Sequence, residues 1–267
     1  MTCATSDSGG GAGIQADLKT FAALGVYGFC AVSAVTAQNS HEVTAVECLS
    51  PKCFRAQLEA VRSDFKVDAV KVGLLGSPAN TSELCDFLEK SLPGAPAVVD
   101  PVMVSAAGHV FLDDGTLAAL NGLLARAFLA TPNVPEAERL SGTEIRGPGD
   151  AVKAAERILE LGPRNVLVKG GHSAGELSED VLVGRDAGTL RFGLPRKITD
   201  NTHGTGCTLS SAIAAYLARG LPLADAVGKA KTYVWEAMDR DRAPDLGGKG
   251  PGPVHHLYRY YGFDRKP

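Results

Sequence analysis

The chain has 267 residues, 45% hydrophobic and 21% charged, enough apolar matter for a continuous core and a profile that excludes intrinsic disorder. Lysine and arginine total 27 against 30 aspartates and glutamates, a formal net charge of −3 that offers no global field to a nucleic acid, and no local basic patch supplies one. No run reaches the ~20 apolar residues of a membrane helix, no export signal opens the chain, and the six scattered cysteines lack C-x-x-C spacing; a cytoplasmic location is expected, with free thiols, five of them buried.

Residues 13–24 place Ile14, Leu18, Phe21 and Ala22 on one helical stripe, ended by Gly25. Residues 26–37, rich in β-branched and small side chains, read as a buried strand. A helix over 54–65 aligns Leu58, Val61 and Phe65, and strand 69–73, helix 83–92 and strand 97–100 follow. Next come helix 117–127, strand 128–131, a short helix 134–140, a helix running to Leu161 with Asp150 as its cap, and strand 165–169. Two further strands, 180–184 and 189–194, lead to two long helices, 205–219 and 223–241. Residues 247–253 form a glycine-rich loop that returns the C-terminus to the body. No linker or internal repeat divides the chain. Strands alternating with helices of this length predict a single α/β domain over 1–267, with a mostly parallel central sheet and helices on both faces.

In such a sheet, ligands collect beyond the carboxyl ends of the strands. Asp100 ends one apolar strand, Asn133 and Glu136 follow another, and Lys169-Gly170-Gly171 ends a third. The segment Asn201-Thr202-His203-Gly204-Thr205-Gly206-Cys207 opens an apolar helix carrying Leu209, Ile213 and Leu217. Its glycines leave first-turn amides bare, and those amides with the helix dipole attract an anion. Neither a Walker A sequence nor a dinucleotide fingerprint in its usual context is present, so phosphates are held in another way.

The run Ser6-Asp7-Ser8-Gly9-Gly10-Gly11-Ala12-Gly13-Ile14-Gln15-Ala16-Asp17-Leu18-Lys19-Thr20 resembles the opening of hydroxymethylpyrimidine/phosphomethylpyrimidine kinases, members of the ribokinase-like superfamily that supply the pyrimidine half of thiamine. The resemblance continues through Val35-Thr36-Ala37-Gln38-Asn39, Asp100-Pro101-Val102-Met103-Val104, Thr131-Pro132-Asn133, Pro135-Glu136-Ala137 and Val168-Lys169-Gly170-Gly171-His172. It ends with the 201–207 segment and Gly252-Pro253-Val254-His255-His256, in the family's order and over nearly the whole chain. It implies ATP and Mg²⁺ as cofactors and two successive phosphorylations, first of the pyrimidine alcohol and then of its monophosphate.

On this resemblance the amides of Gly204, Thr205, Gly206 and Cys207 form the anion hole, and Lys169 is the cationic partner of the phosphates, with Asn133, Thr202 and His203 beside the nucleotide. His203 either orients the phosphate loop or is a hydrogen-bonded structural histidine. Asp100 and Glu136 are the expected metal carboxylates. Cys207 stands where many relatives carry a catalytic aspartate and is the implied general base; a helix N-terminus lowers a thiol's pKa, which makes it a weaker base. Gln38 pairs an acceptor with a donor, matching the edge of a 4-aminopyrimidine. Asp17 faces the substrate or pairs with a neighbour such as Lys19. Leu74 replaces a common methionine against the ring, a tolerated swap. Thr5 stands where the family's first strand reaches a glycine, residues 105–108 lack a usual polar pair, and Asp200 replaces a frequent lysine, a charge expected to weaken ATP binding. A lid near 105–112 and a homodimer joined through an exposed sheet edge are further expectations. A pyridoxal kinase of the same superfamily and a non-catalytic pyrimidine-binding domain are the alternatives; Lys169, Glu136 and Cys207 argue against the second.

Overall fold

The computed structural model describes residues 1–103, 114–172, 175–185, 188–239 and 246–262; the lid expected near 105–112 lies outside them, as does a helix end at 241. Six strands run parallel: β1 (Thr2–Asp7), β2 (Cys30–Gln38), β4 (Val70–Val72), β5 (Ala97–Val99), β6 (Leu129–Ala130) and β7 (Asn165–Val168). Three antiparallel strands complete the edges: β3 (Val43–Cys48) beside β2, then β8 (Leu177–Gly184) and β9 (Gly188–Pro195) beyond β7. The order is β3-β2-β1-β4-β5-β6-β7-β8-β9. The chain thus leaves β1 to one side for β2 and returns to its other side for β4. That reversal opens a crevice at the carboxyl ends of the central strands.

Helices cover both faces. Helices α2 (Pro51–Asp64), α3 (Pro78–Ser91), α4 (Asp114–Leu124), α5 (Val134–Ser141) and α6 (Pro148–Glu160) bury Phe54, Leu84, Phe87, Leu124 and Ile158 against Val70, Val72, Ala97 and Val99. On the other face α1 (Gly13–Ala23), α7 (Thr205–Ala218) and α8 (Leu223–Ala237) bury Phe21, Ile213 and Tyr233 against Val98, Leu129, Leu167 and Leu182. Adjacent strand residues divide between the two cores, as the period of two requires.

Several boundaries differ from expectation for identifiable reasons. Helices α2 and α3 start early, at prolines that suit a first helical turn, with the Ser50 and Ser77 side chains accepting hydrogen bonds from the Cys53 and Asn80 amides. Gly147, not Asp150, is the N-cap of α6; Asp150 sits in the first turn and accepts from the Arg146 amide at 3.3 Å. Strand β2 begins only at Cys30, because Val26 is spent closing α1 with a bond to the Phe21 carbonyl. The thiols are more open than expected. Only Cys3 and Cys85 are buried, Cys30 and Cys207 are half-buried, and Cys48 and Cys53 are exposed on the edge strand and the start of α2. Among the described residues no helix is long and apolar enough to cross a membrane.

Candidate active site

The carboxyl ends of the central strands open into a cavity of about 1050 Å³, bordered at one place by Gln38 and Leu74 and at another by Gly204 to Cys207. The phosphate loop is shaped by glycine. Gly204 is the N-cap of α7 with φ 80°, and a Cβ there would lie 1.7 Å from the Gly11 carbonyl oxygen. Its own carbonyl accepts from both the Thr208 amide and the Thr208 hydroxyl at 2.8 Å. The amides of Gly206 and Cys207 are left without a partner among the described residues and border the cavity. Thr205 corrects the expected set of four donors: its amide turns back to the Thr202 carbonyl at 3.3 Å, so the cradle is narrower.

His203 ties this loop to β1. Its Nε2 lies 3.2 Å from Asp7 Oδ2, while Asp7 also accepts from the amides of Gly9, Gly11 and Ala12. Burial would raise the Asp7 pKa, but His203 and these amides outweigh it and hold the carboxyl below its ordinary range. The His203 amide donates to the Gly252 carbonyl, so the C-terminal glycine loop fastens the same turn from outside. That loop also rests on the tip between β2 and β3, where the Gly250 amide donates to Ser40 Oγ at 3.1 Å. Thr202 is exposed at the cavity rim.

Lys169, Asp100 and Glu136 converge on the cavity beside the loop. Lys169 Nζ sits 2.7 Å from Asp100 Oδ1, with side chains 12% and 2% exposed. Asn133 caps α5: its Oδ1 accepts from the Glu136 amide at 2.9 Å, and its amide donates back to Glu136 Oε2 at 2.8 Å. The N-x-x-E element is thereby a reciprocal capping box that fixes the carboxylate at the cavity wall. Burial pushes Glu136 up to about 7; Lys169 opposes the shift, and Asp100 adds to it. Cys207 overturns the expectation of a lowered thiol: burial pushes it above its ordinary range, against the pull of Lys71.

The comparisons bear on this arrangement directly. Residues 7–255 match the model of the family described as phosphomethylpyrimidine kinase. A hydroxymethylpyrimidine/phosphomethylpyrimidine kinase of Rhizobium meliloti is 46% identical over 98% of this chain and 97% of its own length. The Haemophilus influenzae protein of the same name is 42% identical over 96% and 95%. The chain belongs to the phosphomethylpyrimidine kinase family. Among solved structures, the phosphomethylpyrimidine kinase of Clostridium difficile superposes with a TM-score of 0.78 at 44% identity, covering 89% of this chain and 98% of its own. The pyridoxal kinase of Staphylococcus aureus in complex with AMP-PCP and pyridoxal does so with a TM-score of 0.85 at 33% identity, covering 96% and 92%. The fold is ribokinase-like, as the resemblance implied.

Within this family frame, Gln38 ends β2 at the cavity, its Oε1 accepting from the Thr36 hydroxyl at 3.2 Å, and Leu74 lies half-buried on the wall. Thr5 is accommodated by a register shift between Ala4 and Ser6 in the β1–β2 pairing, and it too borders the cavity. One expectation needs correction. Asp17 does not face the cavity: it is fully buried beneath the floor, paired with Lys71 rather than Lys19. Asp200 is exposed and outside the lining, and its carbonyl holds the Gly252 and Thr202 amides. Sequence reasoning missed Lys71, although a lysine within the apolar run Val70-Lys71-Val72 was a signal in plain sight. It also missed the far wall, where Lys231 pairs with Asp180 at 2.8 Å and Lys197 lies over the Trp235 ring at 3.9 Å.

Proposed function

We infer a division of labour among these residues for two successive transfers in one cavity. The chain uses ATP to phosphorylate 4-amino-5-hydroxymethyl-2-methylpyrimidine and then its monophosphate, in thiamine biosynthesis. The observation that carries this assignment to the site is the continuous cavity joining Gln38 to the bare amides of Gly206 and Cys207 beside Lys169. Gln38 reads the amino-pyrimidine edge, with Leu74 against the ring. Gly204, Gly206 and Cys207 cradle the migrating phosphoryl group, and Lys169 neutralises its charge. Asn133, Thr202 and His203 hold the neighbouring phosphates or the loop that meets them. The apolar wall of Leu194, Val234 and Met238, closed by Trp235, suits the flat nucleotide base.

Among the described residues no group of three or more metal-ligating side chains is preformed. Two carboxylates nevertheless fit magnesium, which takes oxygen ligands and completes its shell with phosphates and water. Asp100 and Glu136 would hold it, and a cation there would offset the burial that raises Glu136 and the smaller push from Asp100. When bound, the ion neutralises charge on the phosphate oxygens. The sheet edge made by β3, with Val46 exposed on it and Val35 exposed on the adjoining β2, supports assembly as a homodimer.

Coupled ADP-release kinetics on purified protein test the reading. The kcat/KM for the hydroxymethylpyrimidine is expected to exceed that for pyridoxal by at least about tenfold, since Gln38 gains both hydrogen bonds only from the aminopyrimidine. The close superposition of pyridoxal kinases makes pyridoxal the appropriate competitor, and equal or better turnover of it would overturn the assignment. Cys207→Ala separates the two transfers. The monophosphate is already an anionic acceptor and needs no base, so single-turnover rates should fall about 10²-fold for the alcohol and far less for the monophosphate. Equal losses for the two acceptors would remove Cys207 from the base role.

A further inference from the structure

Lys71 sits in the middle of the sheet, on the three-residue strand β4, with no exposed surface. Its Nζ lies 2.9 Å from each carboxylate oxygen of Asp17, which is equally buried on α1. The carboxylate is otherwise filled: Oδ2 accepts from the Thr2 hydroxyl at 2.6 Å and Oδ1 from the Ser211 hydroxyl at 2.7 Å. Four elements, β1, β4, α1 and α7, therefore meet at one ion pair. The pair is oriented. Lys71 borders the cavity and Asp17 does not, so the cationic end faces the reacting groups and the anionic end lies behind it.

Two structural details set the direction of that end. Ser211, which anchors Asp17, stands one turn after Cys207 on α7, so the helix that carries the thiol also holds the pair. At Gly73 a Cβ would lie 2.8 Å from Lys71 Nζ and 3.1 Å from the Ala4 Cβ, so the ammonium is packed closely from the strand side. Lys71 from β4, Asp100 beyond β5, Lys169 beyond β7 and Gly13 at the start of α1 line the same cavity as Cys207, with Asp17 from α1 behind Lys71. Stability alone does not call for such a pair, because well-packed apolar side chains in its place are often neutral or better.

We propose that Lys71, anchored by Asp17, is a positioning residue that holds negative charge at the base of the cavity, on the Cys207 sulfur and the acceptor oxygen. The proposal rests on the placement of Cys207 beside the acceptor hydroxyl. In the first transfer the hydroxyl proton passes to the thiolate form of Cys207, a minor form because burial raises the thiol, and the acceptor oxygen forms its bond to the γ-phosphorus. The bond from that phosphorus to the bridging oxygen breaks, and its electron pair leaves with ADP. Lys71 stays protonated throughout and supplies only a fixed field.

The test reads the thiol itself, without substrate or nucleotide, so it stands apart from the kinase assignment. Iodoacetamide labelling of the Cys207 peptide is followed by mass spectrometry against pH, which separates it from exposed Cys48 and Cys53. Lys71→Met alone leaves Asp17 uncompensated and risks unfolding; the neutral pair Lys71→Met with Asp17→Asn avoids that. In this double variant the labelling midpoint is expected to rise by about one pH unit or more. The alcohol phosphorylation should lose at least about tenfold in kcat, with KM for ATP little changed. A folded double variant whose Cys207 labelling profile superimposes on the parent's would overturn the proposal, whatever its activity.

Discussion

Gly204→Ala is expected to yield a folded protein whose phosphoryl transfer is slower on the order of 10³-fold for both acceptors. The left-handed backbone at this position costs an alanine about 1–2 kcal/mol on its own. The larger effect is steric: the new Cβ would meet the Gly11 carbonyl oxygen at 1.7 Å and its carbon at 2.8 Å, and backbone cannot rotate away. Relief requires the phosphate loop to leave the glycine loop that follows β1. The His203–Asp7 contact and the amides of Gly206 and Cys207 would move with it. Both transfers use the same cradle, so both single-turnover rates should fall together, unlike the split expected for Cys207→Ala. Gly206→Ala is the contrast: its Cβ would stand 3.4 Å from Lys169 Nζ and 3.5 Å from Asp100 Oδ2, near ordinary contact, and a milder loss should follow. A Gly204→Ala enzyme within tenfold of the parent would mean that this contact does not shape the cradle.

Lys169→Met should lower kcat/KM for ATP about 10²–10³-fold and also weaken the fold. The ammonium is both a cation beside the phosphate loop and the partner of Asp100, whose side chain is only 2% exposed. Removing one member of a buried pair leaves an uncompensated charge, at about 3–5 kcal/mol. A second substitution separates the loss of stability from the loss of activity, although it also removes one of the two carboxylates placed at the metal. Lys169→Met with Asp100→Asn carries no stranded charge, so denaturant unfolding should recover most of the lost stability while activity stays low. If the double variant regained activity along with stability, Lys169 would be scaffold and not a phosphate ligand.

Both sites were legible because glycine and charge stand out where an apolar strand gives way to a helix. Gly204-Thr205-Gly206-Cys207 announces bare amides, and Lys169 and Asp100 follow β7 and β5 directly. Asn133 and Glu136 were placed by the strand they follow, whereas the capping box that joins them emerges only in the structure. Strand β1 was not legible from its residues. Thr2-Cys3-Ala4-Thr5-Ser6-Asp7 has no apolar run, yet it lies mid-sheet, because Thr2 bonds Asp17 and Asp7 bonds His203 across the fold. Only the family resemblance implied a strand there. Strand β3 escaped for the opposite cause: as an exposed edge it packs no face and carries no alternation to read. Asp17 misled because one-dimensional spacing puts it after the glycine cluster; its partner Lys71 lies 54 residues away, and only the sheet brings them together.

The C-terminal glycine loop has no reacting group of its own, yet it touches both ends of the cavity's rim. Its carbonyl at Gly252 holds His203, and its Gly250 amide holds the tip between β2 and β3 that follows Gln38. A chain clipped within that loop would retain every acid, amine and thiol used in the chemistry. It would nonetheless lose the clasp that keeps the pyrimidine end and the phosphate end at a fixed separation, and such damage would look like poor catalysis in a molecule with an undamaged core.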